Sequence, residues 1–318
     1  MTQPHRIDVH HHILPPSYVN AVGEEAIGRL LVSGKAPQWT PEISLDVMDR
    51  NGIEKAYTSM SAPGVADCSE SETTEIVRKF NDDAGVMRKS YSGRFGTFSY
   101  LPLPYVDAAL KEISRVFEEI GTDGICLLTS YGDKYLGDAD FVPMFDELNR
   151  RKAIVFVHPD SGPCSCNIGN VPAATLDFPF DTTRTIVSLM MGGIFQRCPD
   201  IRFVFSHAGG TVPFLVDRLS RLERIPANKE LLQAGVGNML RALYFDTALS
   251  ANKYTFASLM EFADPKRILF GSDYPFAPED TTTASILGLS QLGLSDEQLL
   301  NIERNNSLSL FEESLSKM

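Results

Sequence analysis

Short runs of apolar and β-branched residues recur along this chain with amphipathic stretches between them. That alternation limits the fold more than any other feature. The runs fall at 6–10, 53–59, 95–101, 124–128, 153–158, 201–206, 243–246 and 267–271. The amphipathic stretches fall at 42–51, 71–91, 107–120, 140–151, 182–196, 212–224 and 251–262. Strands separated by helices run parallel, because each helix carries the chain back to the edge where the next strand starts. Eight such strands predict an α/β fold, a single (β/α)8 barrel of the TIM type. An open doubly wound sheet shares the alternation but carries a Gly-rich phosphate loop after an early strand, and this sequence has none. No repeat, low-complexity tract or Pro/Gly/Ser linker divides residues 1–318, so one domain is expected.

Composition narrows the function classes. The hydrophobic fraction of 43% supplies a sizeable core. The formal charge of −12, from 29 basic and 41 acidic residues, argues against nucleic acid and anionic membrane as partners. No apolar run approaches the ~18 residues that span a bilayer. Residues 1–12 are polar and His-rich, without the apolar core of a signal peptide. The five cysteines, Cys68, Cys126, Cys164, Cys166 and Cys198, are an odd number and read as reduced thiols, so a cytoplasmic protein is expected. Cys164 and Cys166 form a C-x-C with no second pair and read as incidental loop thiols.

The chemistry collects at strand ends. The first strand ends in Asp8-Val9-His10-His11-His12, where alternation along a strand puts Asp8, His10 and His12 on one face and turns His11 away. The fifth run ends on His158, the sixth is followed by His207, and the eighth is followed by Asp273. His10, His12, His158 and Asp273 make a nitrogen-rich donor set for zinc or another first-row divalent ion. His207 stands beside it as an acid/base group. Asp246 ends the seventh strand and is a candidate to orient a histidine by hydrogen bonding to its other ring nitrogen. His5 and His11 are assigned to the surface or to the layer behind the ligands. The fourth strand ends without Lys, Asp or Glu to bridge two metals, so one ion is expected. Long connections, 13–40 after the first strand and 159–181 after the fifth, belong over the C-terminal mouth, where barrel active sites are built.

These motifs resemble the amidohydrolase superfamily, in the branch typified by aminocarboxymuconate-semialdehyde decarboxylase. The resemblance rests on Asp8-Val9-His10-His11-His12-Ile13-Leu14-Pro15, Val157-His158-Pro159, Ser206-His207-Ala208-Gly209-Gly210 and Gly271-Ser272-Asp273-Tyr274-Pro275-Phe276. Within the branch, Trp39-Thr40-Pro41-Glu42, Ser61-Ala62-Pro63-Gly64-Val65 and the segment from Asp177 to Arg184 are similar to the 6-methylsalicylate decarboxylases. The segment before Glu42 lacks the arginine that the aminocarboxymuconate enzymes place on their substrate.

The resemblance implies a mononuclear divalent metal, zinc first and manganese as the alternative, with no organic cofactor. It implies nonoxidative decarboxylation of a small aromatic acid, 6-methylsalicylate to m-cresol being the nearest example. Asp273 and His207 are then the catalytic pair, either of which delivers the proton. Trp39, Phe178, Phe180 and Phe276 are candidates for an apolar slot around the ring. Arg184 either holds the substrate carboxylate or pairs with Asp177 or Asp181. A homo-oligomer, dimer or tetramer, is expected by the same likeness. Two other readings compete: a hydrolase of a lactone or amide using the same ligands, and a non-catalytic acid-binding protein, disfavoured because all five site residues are present.

Overall fold

A computed structural model describes residues 5–66, 68–165 and 168–315. Eight parallel strands follow one another around a barrel in sequence order. They are β1 (Arg6–His12), β2 (Ile53–Ser59), β3 (Phe95–Tyr100), β4 (Gly124–Leu128), β5 (Ile154–His158), β6 (Arg202–Phe205), β7 (Tyr244–Asp246) and β8 (Ile268–Leu269). β8 is short, but the segment after it closes the ring against β1: Val9 N–H donates to Phe270 O (3.0 Å), and His12 N–H to Tyr274 O (2.7 Å). The strands are buried on both faces, which is why they read as continuous apolar runs such as Ile154-Val155-Phe156-Val157.

The crossover helices that frame the site are α1 (Pro41–Arg50), α2 (Glu70–Ser90), α3 (Val106–Arg115), α4 (Val142–Arg150), α5 (Ala173–Met191), α6 (Val212–Ser220), α7 (Lys253–Phe262) and α8 (Glu279–Ser290). Their starts are written locally. Thr40 caps α1 by accepting Ile43 N–H, and Ser69 with Glu72 forms a capping box on α2. The eighth crossover helix escapes sequence reading because its run of threonines and its leucines do not gather on one face.

Two expectations are corrected. The connection after β5 is shorter than 159–181: α5 begins at Ala173, so Phe178 and Phe180 sit on a helix rather than a loop. Pro179 reads as a breaker, yet it lies inside α5, where its carbonyl accepts the Thr183 hydroxyl (2.8 Å). The connection after β1 carries two short helices, Pro16–Val22 and Glu24–Gly28. The second correction concerns β1. Asp8 pairs with Ala56 and His11 with Thr58, so between these pairs two residues of β1, Val9 and His10, face one of β2, Tyr57. This bulge flips the alternation. Asp8 shares the outer face with His11, while His10 and His12 point inward.

The barrel interior grades from apolar to polar. Phe98 and Phe156 stack with ring centroids 5.5 Å apart, and His10 sits edge-on to Phe156 at 5.0 Å, nearer the mouth. The floor is closed by α9 (Asn306–Leu315), whose Phe311 stacks on Tyr57 at 3.6 Å and 4°. Phe311→Ala is expected to cost about 3 kcal/mol, the usual worth of a buried Phe truncated in place. Urea unfolding with parallel metal analysis checks this: stability should fall while metal content holds, and an unchanged midpoint refutes the plug.

Candidate metal centre

Four residues from two strands and one loop meet at the mouth. One ligand atom each from His10, His12, His158 and Asp273 lies within 4.8 Å of all the others. His10 Nε2 and His12 Nε2 are 3.0 Å apart, and each is 3.1 Å from Asp273 Oδ1, with His158 Nε2 at 3.9 Å. His10 and His12 are wholly buried, and His158 and Asp273 nearly so.

Each imidazole is told which nitrogen to offer. His10 Nδ1–H donates to Asp246 Oδ2 (2.8 Å), His158 Nδ1–H to the Pro159 carbonyl (2.8 Å), and His12 Nδ1 lies 3.0 Å from Ser59 Oγ. All three therefore turn Nε2 toward one point, the arrangement that holds imidazoles on a metal. Asp273 Oδ1 is buried there without a hydrogen-bond partner, although two Nε2 atoms stand 3.1 Å away. Four ligand atoms converging on one buried point fit a divalent cation. Three nitrogens and one carboxylate oxygen fit a zinc-like ion.

His207 stands at the edge of this group. Its Nε2 is 3.4 Å from Asp273 Oδ2, and its ring centroid is 5.0 Å from that of His10. Its backbone N–H donates to Asp246 Oδ1 (2.9 Å), so one carboxylate orients both His10 and the His207 turn. His207 and Asp273 both adopt left-handed backbone, φ 53° and 63°, a strained choice for residues with side chains. Gly271 lets the seam close beside them: a Cβ there would lie 2.8 Å from His10 Cβ.

Charge follows from these neighbours. Burial alone would lower the His10 pKa, but the carboxylates of Asp246 and Asp273 outweigh it and push it up to about 10. Burial pulls His12 down to about 4 and His158 well below its ordinary value. Burial pushes the Asp273 carboxyl up, but the charge of His10 beside it, with the His12 and His158 rings close by, holds it well below the usual range.

The aromatic candidates separate. Phe178 is buried and edge-on to His158 (6.0 Å), and Phe276 is edge-on to His12 (5.3 Å). Phe180, on the same helix as Phe178, is 43% exposed. Arg184 is exposed too; its charge attracts Asp181, whose carboxylate accepts the hydroxyls of Thr129 and Tyr135. Trp39 donates its indole N–H to Ser44 (2.8 Å) and makes no ring contact with the cluster among the described residues. Cys166 lies outside the described residues. Ser59 and the Pro159 carbonyl are site groups that sequence reading missed; a polar residue ending β2 was the available signal for the first.

With His10 titrating near pH 10, the ligand set carries one displaceable proton at neutral pH. Zinc uptake at pH 7 should therefore release about one proton per ion, and affinity should rise about tenfold per pH unit until His10 deprotonates. Titration calorimetry in two buffers of different ionisation heat reads this directly. Uptake with no proton release contradicts the charge assigned to His10.

The comparisons with known proteins agree with this geometry. The amidohydrolase family model matches residues 7–312. A 6-methylsalicylic acid decarboxylase of Penicillium expansum is 34% identical over 316 residues, covering 96% of each chain. A crystal structure of an amidohydrolase II superposes with a TM-score of 0.89 at 29% identity, covering 96% of this chain and 99% of that one. A dihydroxybenzoic acid decarboxylase from Polaromonas sp. JS666, with bound manganese and 2-nitroresorcinol, shares the fold at a TM-score of 0.78 and 20% identity, with 98% and 99% covered. Nearly the whole chain is matched, and its strand-end histidines and aspartate meet as one centre, so the chain belongs to the amidohydrolase family.

Proposed function

We propose that this chain is a metal-dependent carboxy-lyase acting on a salicylate-like aromatic acid, with 6-methylsalicylate to m-cresol and CO2 as the first reaction to test. The observation that carries the reading is the buried set of three Nε2 atoms and one carboxylate, with His207 3.4 Å from that carboxylate, in a chain 34% identical to a 6-methylsalicylic acid decarboxylase. His10, His12, His158 and Asp273 would hold the ion, zinc first and manganese second by donor softness. A divalent ion there supplies Lewis-acid charge to a carboxylate and its ortho hydroxyl.

The rest of the chemistry belongs to side chains. Phe178 and Phe276, edge-on to His158 and His12, form the walls of a slot for a flat ring. Trp39, with Phe180 and Arg184 exposed on α5, is assigned to the rim that an incoming acid meets first. Water excluded from the slot strengthens every charge inside it.

Decarboxylation places a proton on the ring carbon that carries the carboxylate. The C–C electron pair then returns to the ring as CO2 leaves: one carboxylate and one proton become one arene and one CO2. Asp273, ionised at neutral pH, holds no proton of its own. His207 brings the proton, either to Asp273 Oδ2 or directly to the ring carbon, and Asp246 fixes the backbone from which it acts. The same reading places a homo-oligomer, dimer or tetramer, in the cytoplasm. Cys68, Cys126, Cys164 and Cys198 are free thiols, and no helix among the described residues is long and apolar enough to cross a membrane.

Incubation with 6-methylsalicylate should yield m-cresol and CO2, lost on chelation and restored by zinc or manganese. His207→Asn should cut kcat about 10²–10⁴-fold, the usual worth of a positioned acid, with metal content unchanged. A loss under about tenfold removes His207 from the proton path. Hydrolysis of a lactone, with no CO2 from any ortho-hydroxybenzoate, overturns the reading. Phe178→Ala and Phe276→Ala should raise KM or change the preference among substituted salicylates while metal stays near one per chain. Wild-type values for both variants would mean that these rings only pack.

A further inference from the structure

The proposed chemistry does not use Asp8, yet its carboxylate is wholly buried on the outer face of β1. A buried carboxylate is tolerated only when its oxygens are satisfied. Four donors do this here. Oδ1 accepts the backbone N–H of His10 (3.0 Å) and of Ser272 (3.0 Å). Oδ2 accepts the Ser272 hydroxyl (2.6 Å) and His11 Nδ1–H (3.1 Å). Every donor belongs to the metal centre or touches it in sequence: His10 is a member, His11 lies between His10 and His12, and Ser272 precedes Asp273.

Asp273 itself needs holding. Its φ of 63° is one that a side chain adopts only where the surroundings insist. Its own N–H donates to the His10 carbonyl (2.8 Å), and Tyr274 N–H donates to Ser272 Oγ (3.1 Å). The turn from Ser272 to Tyr274 is therefore fastened on both sides of Asp273, and the anchor of the fastening is Asp8.

The network continues outward. With Nδ1–H on Asp8, His11 Nε2 is an acceptor, 3.1 Å from Ser44 Oγ on the first turn of α1. Ser44 accepts the indole N–H of Trp39. Serine, histidine and aspartate in this order have the connectivity of a hydrolytic triad. Ser44 and His11 are wholly buried, though, and Trp39 occupies the serine oxygen, so no acyl group reaches it. The network is a scaffold.

We infer that Asp8 is a positioning residue: through Ser272 and the backbone of His10, it holds Asp273 in the left-handed turn that aims its carboxylate between His10 and His12. The inference rests on the reading of those residues as a metal centre. Asp8→Asn keeps the size but sets two of the four donors against an amide N–H2. Zinc affinity of the full chain, measured by competition with a chromophoric chelator, should fall about 10–100-fold, the usual cost of disturbing a group behind a ligand. At saturating zinc, kcat should fall at least about tenfold while KM moves less than about threefold, because the ring slot is untouched. A purely structural role would lower the melting temperature without that split. Ser44→Ala leaves all four donors of Asp8 in place and should bind zinc within about threefold of wild type. Should Asp8→Asn not fold, Ser272→Ala removes the hydroxyl contacts alone and should weaken zinc by about three- to tenfold. Wild-type zinc affinity in folded Asp8→Asn, or in Ser272→Ala, overturns the positioning role and leaves the centre standing. A wild-type chain that takes up no divalent ion overturns the centre and this inference with it.

Discussion

Three buried imidazoles can serve one point only if each keeps its proton on the far nitrogen. That requirement, more than the presence of histidines, governs the mouth of this barrel. Asp246 at the end of β7, Ser59 at the end of β2 and the Pro159 carbonyl beyond β5 stand behind His10, His12 and His158. Removing any one frees a ring to rotate or change tautomer, and the convergence on Asp273 is lost. The partners come from different strands, so the centre exists only once the sheet has closed. The closure is itself made at the centre: Asp273 N–H on the His10 carbonyl and His12 N–H on the Tyr274 carbonyl are bonds of the β1–β8 seam. Fold and site therefore share hydrogen bonds.

The strained backbone at His207 and Asp273 belongs to the same economy of space. A strand continuing past β6 or β8 in extended conformation would carry its next side chain up and away from the mouth. Left-handed turns at φ 53° and 63° bring it back over the ligands. Each turn is fixed by bonds to a neighbouring strand, His207 N–H to Asp246 and Asp273 N–H to His10. The glycines beside them let other chain segments close in. A Cβ at Gly210 would lie 2.1 Å from the Pro179 carbonyl, so α5 docks against the His207 turn only because that position is bare. Docking of α5 is also what brings Phe178 to His158.

The legible part of this fold was the part fixed by periodicity. Apolar runs buried on both faces announced β1 to β7 within a residue or two, and polar residues ending those runs announced the histidines and Asp273. What the sequence hid depended on long-range contact. The bulge in β1 is a count of two residues against one in another strand, so simple alternation put Asp8 beside His10 when it lies behind it with His11. Pro179 looked like a loop residue because the groups that accommodate it inside α5, Thr183 and the bare Gly210, cannot be read from its own neighbourhood. The Pro159 carbonyl acts through geometry that no residue type advertises, and Ser59 shows itself only as a polar residue ending β2.

Ligand identity alone does not separate decarboxylation from hydrolysis, since both use a cation held by imidazoles and a carboxylate next to an acid/base histidine. The surroundings separate them. A hydrolase has to bring water to the cation and keep a path for it, whereas protonation at a ring carbon gains from keeping water out. Here aromatic rings pack at right angles beside His12 and His158, Phe276 at 5.3 Å and Phe178 at 6.0 Å, both carried on segments that the barrel seam and the α5 dock hold in place. On the proposed function, two aromatic rings held beside the ligands would favour a flat ring lying between them over a solvated acyl group. His207, across from Asp273 Oδ2, is then set to serve a carbon held in that slot. On the proposed function, these walls, more than the ligands, would give the centre its bias toward aromatic acids.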